Sequence, residues 1–296
     1  MKNGWTGGQY SIVRAMFGVC LFVHVVRRIP WTREAFVEAS LLSLAAVAAV
    51  FFAIGWLDRV AAVVIWCVLA WLSARNLPLL AASSLLLWHT LLPRAPFLSI
   101  AARGRVDPRG GWTMPRPMYA AVWVVMAVAY GLLVRNGFAD FSFLMLFLPL
   151  FAFDPAWVPR LAPGTTDEVF YDGTCGLCHG GMRWLVAEDP TGTSFRYAPL
   201  FGDAFAAAFP GAVDLPDSVI VKTSSGVVLV RSDAAVHLLA RLGGLWRVLG
   251  VAFSVLPHRV RDAMYDFVAR IRYRIFGRKK DACPLMPADL RSRFTV

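Results

Sequence analysis

The sequence predicts a two-part chain: an α-helical multi-span membrane domain over residues 1–160, then an α/β domain with extra C-terminal helices over 164–296. Three observations carry this. Of 296 residues, 58% are hydrophobic and only 17% charged, with mean hydropathy +0.57; soluble globular chains run nearer one half and one quarter. Long apolar runs fill the chain up to residue 153, after which short strand and helix patterns alternate. The charge follows the same division: residues 1–153 hold thirteen Lys/Arg against five acids, and residues 154–296 hold seventeen against fourteen, for a net +11. Intrinsic disorder is excluded by the high hydrophobicity. Five cysteines in 296 residues do not make a disulfide-stapled secreted scaffold. A basic balance can signal nucleic acid, but the N-terminal excess is Arg in short loops between apolar runs. Membrane topology accounts for it, and no nucleic-acid partner is expected.

The clear spans are Tyr10–Val26, Ala39–Leu57 and Met118–Val134. Val60–Ser73, Leu77–Leu92 and Phe141–Phe153 are apolar but short; a full crossing takes about 20 residues, so these are tight spans or re-entrant segments. The expectation is six spans, with five as the alternative. The first run lacks a small-residue cleavage site and carries Arg14 and His24, so no cleavable signal peptide is expected. Trp31, Trp56, Trp71 and Trp112 stand near run ends, at headgroup level. Five Arg in the Arg94–Arg116 loop put that loop, and the C-terminal domain with it, on the cytoplasmic side. The chain therefore reads as an integral protein of a bacterial-type inner membrane, with membrane lipid as a partner. Arg14, His24, Glu38, His89 and Asp140 lie in or beside apolar runs. Run-end placement, with snorkelling of Arg14 to the interface, accounts for them better than a substrate or proton path does. Cys20 and Cys67 read as small hydrophobes.

The pattern of Arg14 to Gly18, the segments LLPRAPFLS and MPRPMYAAVWVVMAVAYGLL, and the closing LMLFLPLFAFDPAWVP resemble the horizontally transferred transmembrane (HTTM) family. That family is related to the membrane domain of vitamin K-dependent carboxylase. After Lys2 the next lysine is Lys222, so the carboxylase's catalytic lysine has no counterpart and carboxylation is not expected.

In the second part, Glu168–Tyr171 reads as a buried strand, Asp172-Gly173-Thr174 as a turn, and Cys178–Ala187 as a helix by the spacing of Met182, Leu185 and Val186. Ser194–Tyr197 is a second strand and Phe201–Phe209 a helix. Ser218–Lys222 and Val227–Arg231 form a hairpin about Ser224-Ser225-Gly226. Ser232 is expected to cap a helix that runs through Leu242 to Gly243-Gly244. The order is β-α-β-α-β-β-α, with further helices over 245–276. The last, about His258–Phe276, is basic and amphipathic, suited to an anionic leaflet at ~1 kcal/mol per basic residue near the surface.

Chemistry concentrates in Asp172-Gly173-Thr174-Cys175-Gly176-Leu177-Cys178. A CxxC at a strand-to-helix junction places its first thiol at the helix N-terminus, where unpaired N–H groups and the dipole favour thiolate. Cys175 is the expected nucleophile and Cys178 the resolving thiol. In thioredoxin-like folds a cis-proline precedes the strand that faces the CxxC. On that resemblance Pro216, before Ser218–Lys222, is expected to be cis, an ordinary turn proline being the alternative.

EVFYDGTCGLC, followed by LPDSVIV, VRSDAAVHLLARLGG, RDAMYDFVARIRYRIFGR and Cys283, resembles the DCC family of thiol-disulfide oxidoreductases over about residues 166–296. The resemblance implies thioredoxin-like architecture and dithiol chemistry carried by Cys175 and Cys178, without a bound organic cofactor or metal. Asp172 is a proton relay or a turn cap, and Cys283 a third redox thiol or a tail cysteine. Two rival readings of the motif remain. Cys175 to His179 also spells the haem attachment pattern CxxCH, with Met182 or a distant Met as a second axial ligand. The two cysteines can also be half a zinc site, completed by Cys283 with His179 or His258.

The sequence thus predicts an enzyme, a membrane-anchored thiol-disulfide oxidoreductase acting on a disulfide or dithiol substrate. The alternative is a membrane scaffold or transporter-like protein whose CxxC domain senses redox state or binds metal.

Overall fold

The computed structural model describes residues 3–30, 32–72, 74, 76–138, 141–211, 216, 218–278 and 287–295. It divides into two compact units, one comprising Met1–Arg103 with Gly111–Asp154, the other Gly104–Gly110 with Pro155–Val296.

The first unit is helical: α1 (Gly7–Val26), α2 (Phe36–Ile54), α3 (Asp58–Leu72), α4 (Leu77–Thr90), α5 (Arg116–Arg135) and α6 (Phe147–Ala152), the last entered through a 3-10 turn at Phe143–Leu146. Thr6 caps α1 by accepting from Gln9 N, and Asn76 caps α4 by accepting from Leu79 N. Three of these helices, α1, α2 and α5, are long and apolar enough to cross a membrane. The six expected spans are not all of that length. Helices α3 and α4 have 15 and 14 residues, which at 1.5 Å per residue reach about 22 Å against a hydrocarbon core of about 30 Å. Both α2 and α5 leave large apolar side chains outside, among them Leu44, Val47, Val124 and Val128.

The expectation that Arg14 snorkels is corrected by the structure. Arg14 is buried and pairs with Asp58 Oδ2 at 3.0 Å, while His89 Nε2 lies 3.4 Å from the same oxygen and His89 Nδ1 shares a hydrogen bond with the Tyr10 hydroxyl. A buried guanidinium without a partner is costly. Asp58, the first residue of α3, supplies the counter-charge from the other end of α2. The turn between them needs Gly55, whose φ of 70° lies in the left-handed region that L side chains rarely adopt. Asp140 lies outside the described residues.

The second unit has the element order expected from the sequence: β1 (Asp167–Tyr171), α7 (Gly176–Glu188), β2 (Phe195–Pro199), α8 (Asp203–Ala208), β3 (Ile220–Lys222), β4 (Val228–Val230) and α9 (Arg231–Leu242). Then come α10 (Gly244–Ser254), α11 (His258–Phe276) and the short α12 (Ala288–Arg291). The sheet order is β2-β1-β3-β4. β1 runs parallel to β2 (Val169 opposite Tyr197) and antiparallel to β3 (Val169 opposite Val221), and β3 and β4 form the hairpin. Val169, Phe170 and Tyr171 are all buried, the near-continuous apolar run of a strand covered on both faces. Phe170, Ala198, Leu200, Phe205 and Ile220 form one core cluster; Met182, Leu185, Val186, Leu238 and Leu242 are buried on the helices.

Ser232 does not cap α9. The helix starts at Arg231, two residues earlier than a Ser232 cap would place it, and the Ser232 hydroxyl donates to Asp262 instead. At the start of β1, Asp167 is buried; it forms an ion pair with Arg241 (Nε at 2.8 Å) and accepts hydrogen bonds from His237 Nε2 (2.8 Å) and Ser224 N (3.0 Å). Burial works to raise its pKa, but the His237 and Ser224 hydrogen bonds and the Arg241 charge outweigh it and hold the carboxyl below its usual range. The same carboxylate thereby ties β1 to the hairpin turn and to α9.

A dithiol turn closed by the end of the last long helix

The CxxC lies where β1 hands over to α7. Cys175 is the N-cap residue of α7, with extended backbone (φ -90°, ψ 123°), and Cys178 follows within the first turn. The geometry is set before the helix begins. Asp172 Oδ1 accepts from both Thr174 N and Thr174 Oγ1 at 2.8 Å, a local turn that substitutes for backbone pairing. Cys175 N then donates to Asp172 O at 3.3 Å. Of the two expected roles for Asp172, the turn cap is therefore built into the structure.

Cys175 and Cys178 are not joined to each other in this structure. Cys175 is fully buried and Cys178 partly so. Burial, and then the hydrogen bond and charge shared with Cys175, push the Cys178 thiol well above its ordinary pKa, against the lowering effect of Arg272. At neutral pH the Cys178 thiol is thus held in its neutral form.

What seals Cys175 is the end of α11. Gly176 N donates to Gly277 O at 3.2 Å, and Cys175 forms an antiparallel bridge with Arg278. The approach is so close that a Cβ on Gly176 would sit 2.3 Å from the Phe276 carbonyl oxygen; only glycine fits between the two cysteines at that point. The helix end is pinned by charge. Arg272, buried, donates to Asp172 Oδ2 at 3.1 Å, and the Tyr273 hydroxyl donates to the same oxygen. The Arg278 guanidinium lies 4.6 Å over the Tyr273 ring. Burial works to raise the Asp172 pKa, but the hydrogen bonds from Tyr273 and Thr174, with the Arg272 charge, hold it below the usual carboxylate range. One carboxylate therefore shapes the CxxC turn with one oxygen and holds its cover with the other. Residues 272–278 carry no redox chemistry of their own, and the sequence placed them only in a basic amphipathic helix facing a leaflet and in the family resemblance, not at the CxxC. The tightest signal was Gly176 inside the CxxC.

The remaining expected site residues fall elsewhere. Pro216 is followed by a tight turn in which its carbonyl accepts from Ser218 N, and Val219 N donates to the Tyr265 hydroxyl. Leu215 lies outside the described residues, and with it the peptide bond expected to be cis. Cys283 also lies outside them. The His179 ring is buried, with Nε2 2.7 Å from Gly173 O. His258, at the far end of α11, pairs with Asp233 and Asp262. Nineteen residues of helix put it about 27 Å from the cysteines, too far to share a metal with them. Among the described residues, no three His, Cys, Asp or Glu side chains converge as a metal site.

Residues 169–278 match the family model for DCC1-like thiol-disulfide oxidoreductases. The uncharacterized protein YuxK of Bacillus subtilis is 33% identical over 130 residues, 43% of this chain and 91% of that protein. A chloroplastic DCC family protein of Arabidopsis thaliana is 28% identical over 119 residues, 40% of this chain and 68% of that one. No solved structure matches the chain significantly. With a relative of this identity covered over nearly its whole length, and the matched segment running from the core of β1 to the residue that bridges Cys175, the chain belongs to the DCC1-like thiol-disulfide oxidoreductase family.

Proposed function

We propose that the chain is a membrane-anchored protein-disulfide oxidoreductase that works through Cys175 and Cys178. The observation that carries this reading is the placement of Cys175 as the residue preceding α7, beside a Cys178 held as neutral thiol. In the reducing direction, Cys175 thiolate attacks a substrate disulfide; the first substrate sulfur leaves as thiolate and takes up a proton. Cys178, losing its proton, then attacks the Cys175 sulfur and releases the second substrate thiol. Two electrons pass to the substrate and the protein is left with a Cys175–Cys178 disulfide; no bound organic cofactor or metal takes part. The substrate is a disulfide or dithiol partner, and the reverse sequence of steps oxidises one.

The parallel β1–α7–β2 unit followed by the β3–β4 hairpin supports a thioredoxin-like architecture, in which Pro216 flanks the substrate strand and Cys283 is a third thiol able to accept the disulfide. Helices α1, α2 and α5 support the anchor, in an HTTM-like region, and the arginines of the 94–116 loop support a cytoplasmic dithiol domain. A redox-sensing scaffold is the second reading, favoured by the complete burial of Cys175.

Turnover of a model disulfide by the reconstituted chain separates the two. Cys175→Ser abolishes turnover, and Cys178→Ser accumulates a mixed disulfide on Cys175. Unchanged turnover in Cys175→Ser refutes the mechanism, and a wild-type chain that forms its disulfide without turning over substrate is a sensor.

A further inference from the structure

Helix α11 is built inside out. Its charged residues Arg261 and Arg272 are the buried ones, paired with Asp233 (3.1 Å) and Asp172 (3.1 Å). Its apolar residues Val260, Met264, Phe267, Val268 and Ile275 face outward, Phe267 at 60% exposure. Positions 260, 264, 267, 268, 271 and 275 fall on one stripe of a 3.6-residue helix. The preceding α10 continues the apolar surface with Val248, Val251 and, at its C-cap, Val255 at 80% exposure. Between the α11 side chains runs a shallow groove of about 550 Å³ lined by Arg259, Val260, Ala263, Met264, Phe267 and Val268. An apolar surface of this extent marks an interaction site on a folded domain.

The charge beside it is of one sign. Residues 243–261 and 267–278 contain no acid. The two acids of α11 are engaged toward α9: Asp262 by the Ser232 hydroxyl, Asp266 by Arg231 at 3.7 Å. Arg259, Arg270 and Arg274 are exposed. They stand eleven and four residues apart, about three turns and one, so they form a row along one edge of the apolar stripe. An apolar stripe edged by arginines alone is complementary to acyl chains below a layer of phosphate.

We propose that α10 and α11 form a lipid-docking face that seats the dithiol domain on an anionic bilayer leaflet, with Met264 and Phe267 in the acyl boundary and Arg259, Arg270 and Arg274 on headgroup phosphates. This adds a second, surface attachment to the anchoring helices of the proposed function, and rests on that reading only in placing a bilayer nearby. Because the same helix ends at Gly277 and Arg278 over Cys175, the docking face and the cover of the nucleophile are one rigid element.

The test is hydroxyl-radical footprinting of the full chain in nanodiscs, read at Met264 and Phe267, with phosphatidylcholine alone or with added phosphatidylglycerol. Arg259→Glu/Arg270→Glu/Arg274→Glu is compared with wild type. Anionic discs are expected to lower oxidation of both side chains about tenfold relative to zwitterionic discs, and the triple variant to abolish that difference. Three results overturn the proposal: no protection; equal protection in both lipids that survives charge reversal, which means the chain's own helical unit covers the face; and protection that appears only with two copies per disc, which means a second copy does. Alkaline carbonate extraction of the same samples reports the anchoring helices separately, so loss of the anchor and loss of the docking face are told apart.

Discussion

Replacing Asp172 with Asn should open the dithiol site by releasing the end of α11. Arg272 is buried and its charge is met by Asp172 Oδ2 at 3.1 Å. At an effective dielectric of about 20, unit charges at that distance attract by about 5 kcal/mol. Neutralising one partner of a buried pair costs about 3–5 kcal/mol. Asp172 keeps some solvent contact, and Asn retains an oxygen for Tyr273 or Thr174, which points to the lower end, about 3 kcal/mol. Acting on local opening, that free energy raises the open population about 100-fold. Cys175 has no exposed surface, so it reacts only from the open state. The assay is the rate of iodoacetamide labelling at Cys175 in the reduced full chain, read by peptide mass spectrometry alongside hydrogen exchange at Gly176. Both rates should rise about 100-fold in Asp172→Asn, with Cys67 unchanged as the internal reference. The pH dependence has a definite sign. The folded-state pKa of Asp172 lies below its unfolded value. The clamp is therefore fully present above about pH 3.9 and lost only as pH falls through the lower folded value. The ratio of variant to wild type should be flat between about pH 6 and 8. If Cys175 in wild type already labels as fast as Cys67, or if Asp172→Asn stays within about threefold of wild type at both readouts, the ion pair is not what holds the cover.

Gly176→Ala should act on the same contact by steric means, since its Cβ meets a backbone oxygen that has no side chain to move aside; faster Cys175 labelling without global unfolding is the expected result. Asp167→Asn removes the charge that faces buried Arg241 and one of the two oxygens that serve His237 and Ser224 and should cost about 3–5 kcal/mol, seen as protease sensitivity of the sheet unit. Because the Asp167 pKa is depressed, the wild-type contribution should persist above about pH 3.9 and fade only in stronger acid. In the helical unit, Asp58→Asn leaves Arg14 buried without its counter-charge and should lower the thermal aggregation temperature. A second change, Arg14→Met, should restore most of the loss, since replacing both partners of a buried pair by apolar contact is close to neutral. Failure of that rescue would assign the cluster a role other than packing.

The sequence by itself determined the three long apolar helices and the β-α-β-α-β-β-α order. Those are properties of local period: runs of 19 or 20 residues in α1, α2 and α5, and a buried β1 followed at once by turn residues and a CxxC. It also located Cys175 at a helix N-terminus, because Asp172-Gly173-Thr174 is a turn by composition alone. What it could not supply were partners distant in sequence. Arg14 reads as a snorkelling cation until Asp58, forty-four residues away, is brought beside it. Ser232 looks like a cap until Asp262 takes its hydroxyl. The sequence reads α11 as a basic amphipathic helix suited to a leaflet, with all its arginines alike, and the tertiary structure turns Arg261 and Arg272 inward because Asp233 and Asp172 wait there. Burying those two arginines leaves the apolar stripe on the surface and fixes the helix end against Cys175 and Gly176. Helical period gives the faces of α11; only its ion pairs decide which face is inside.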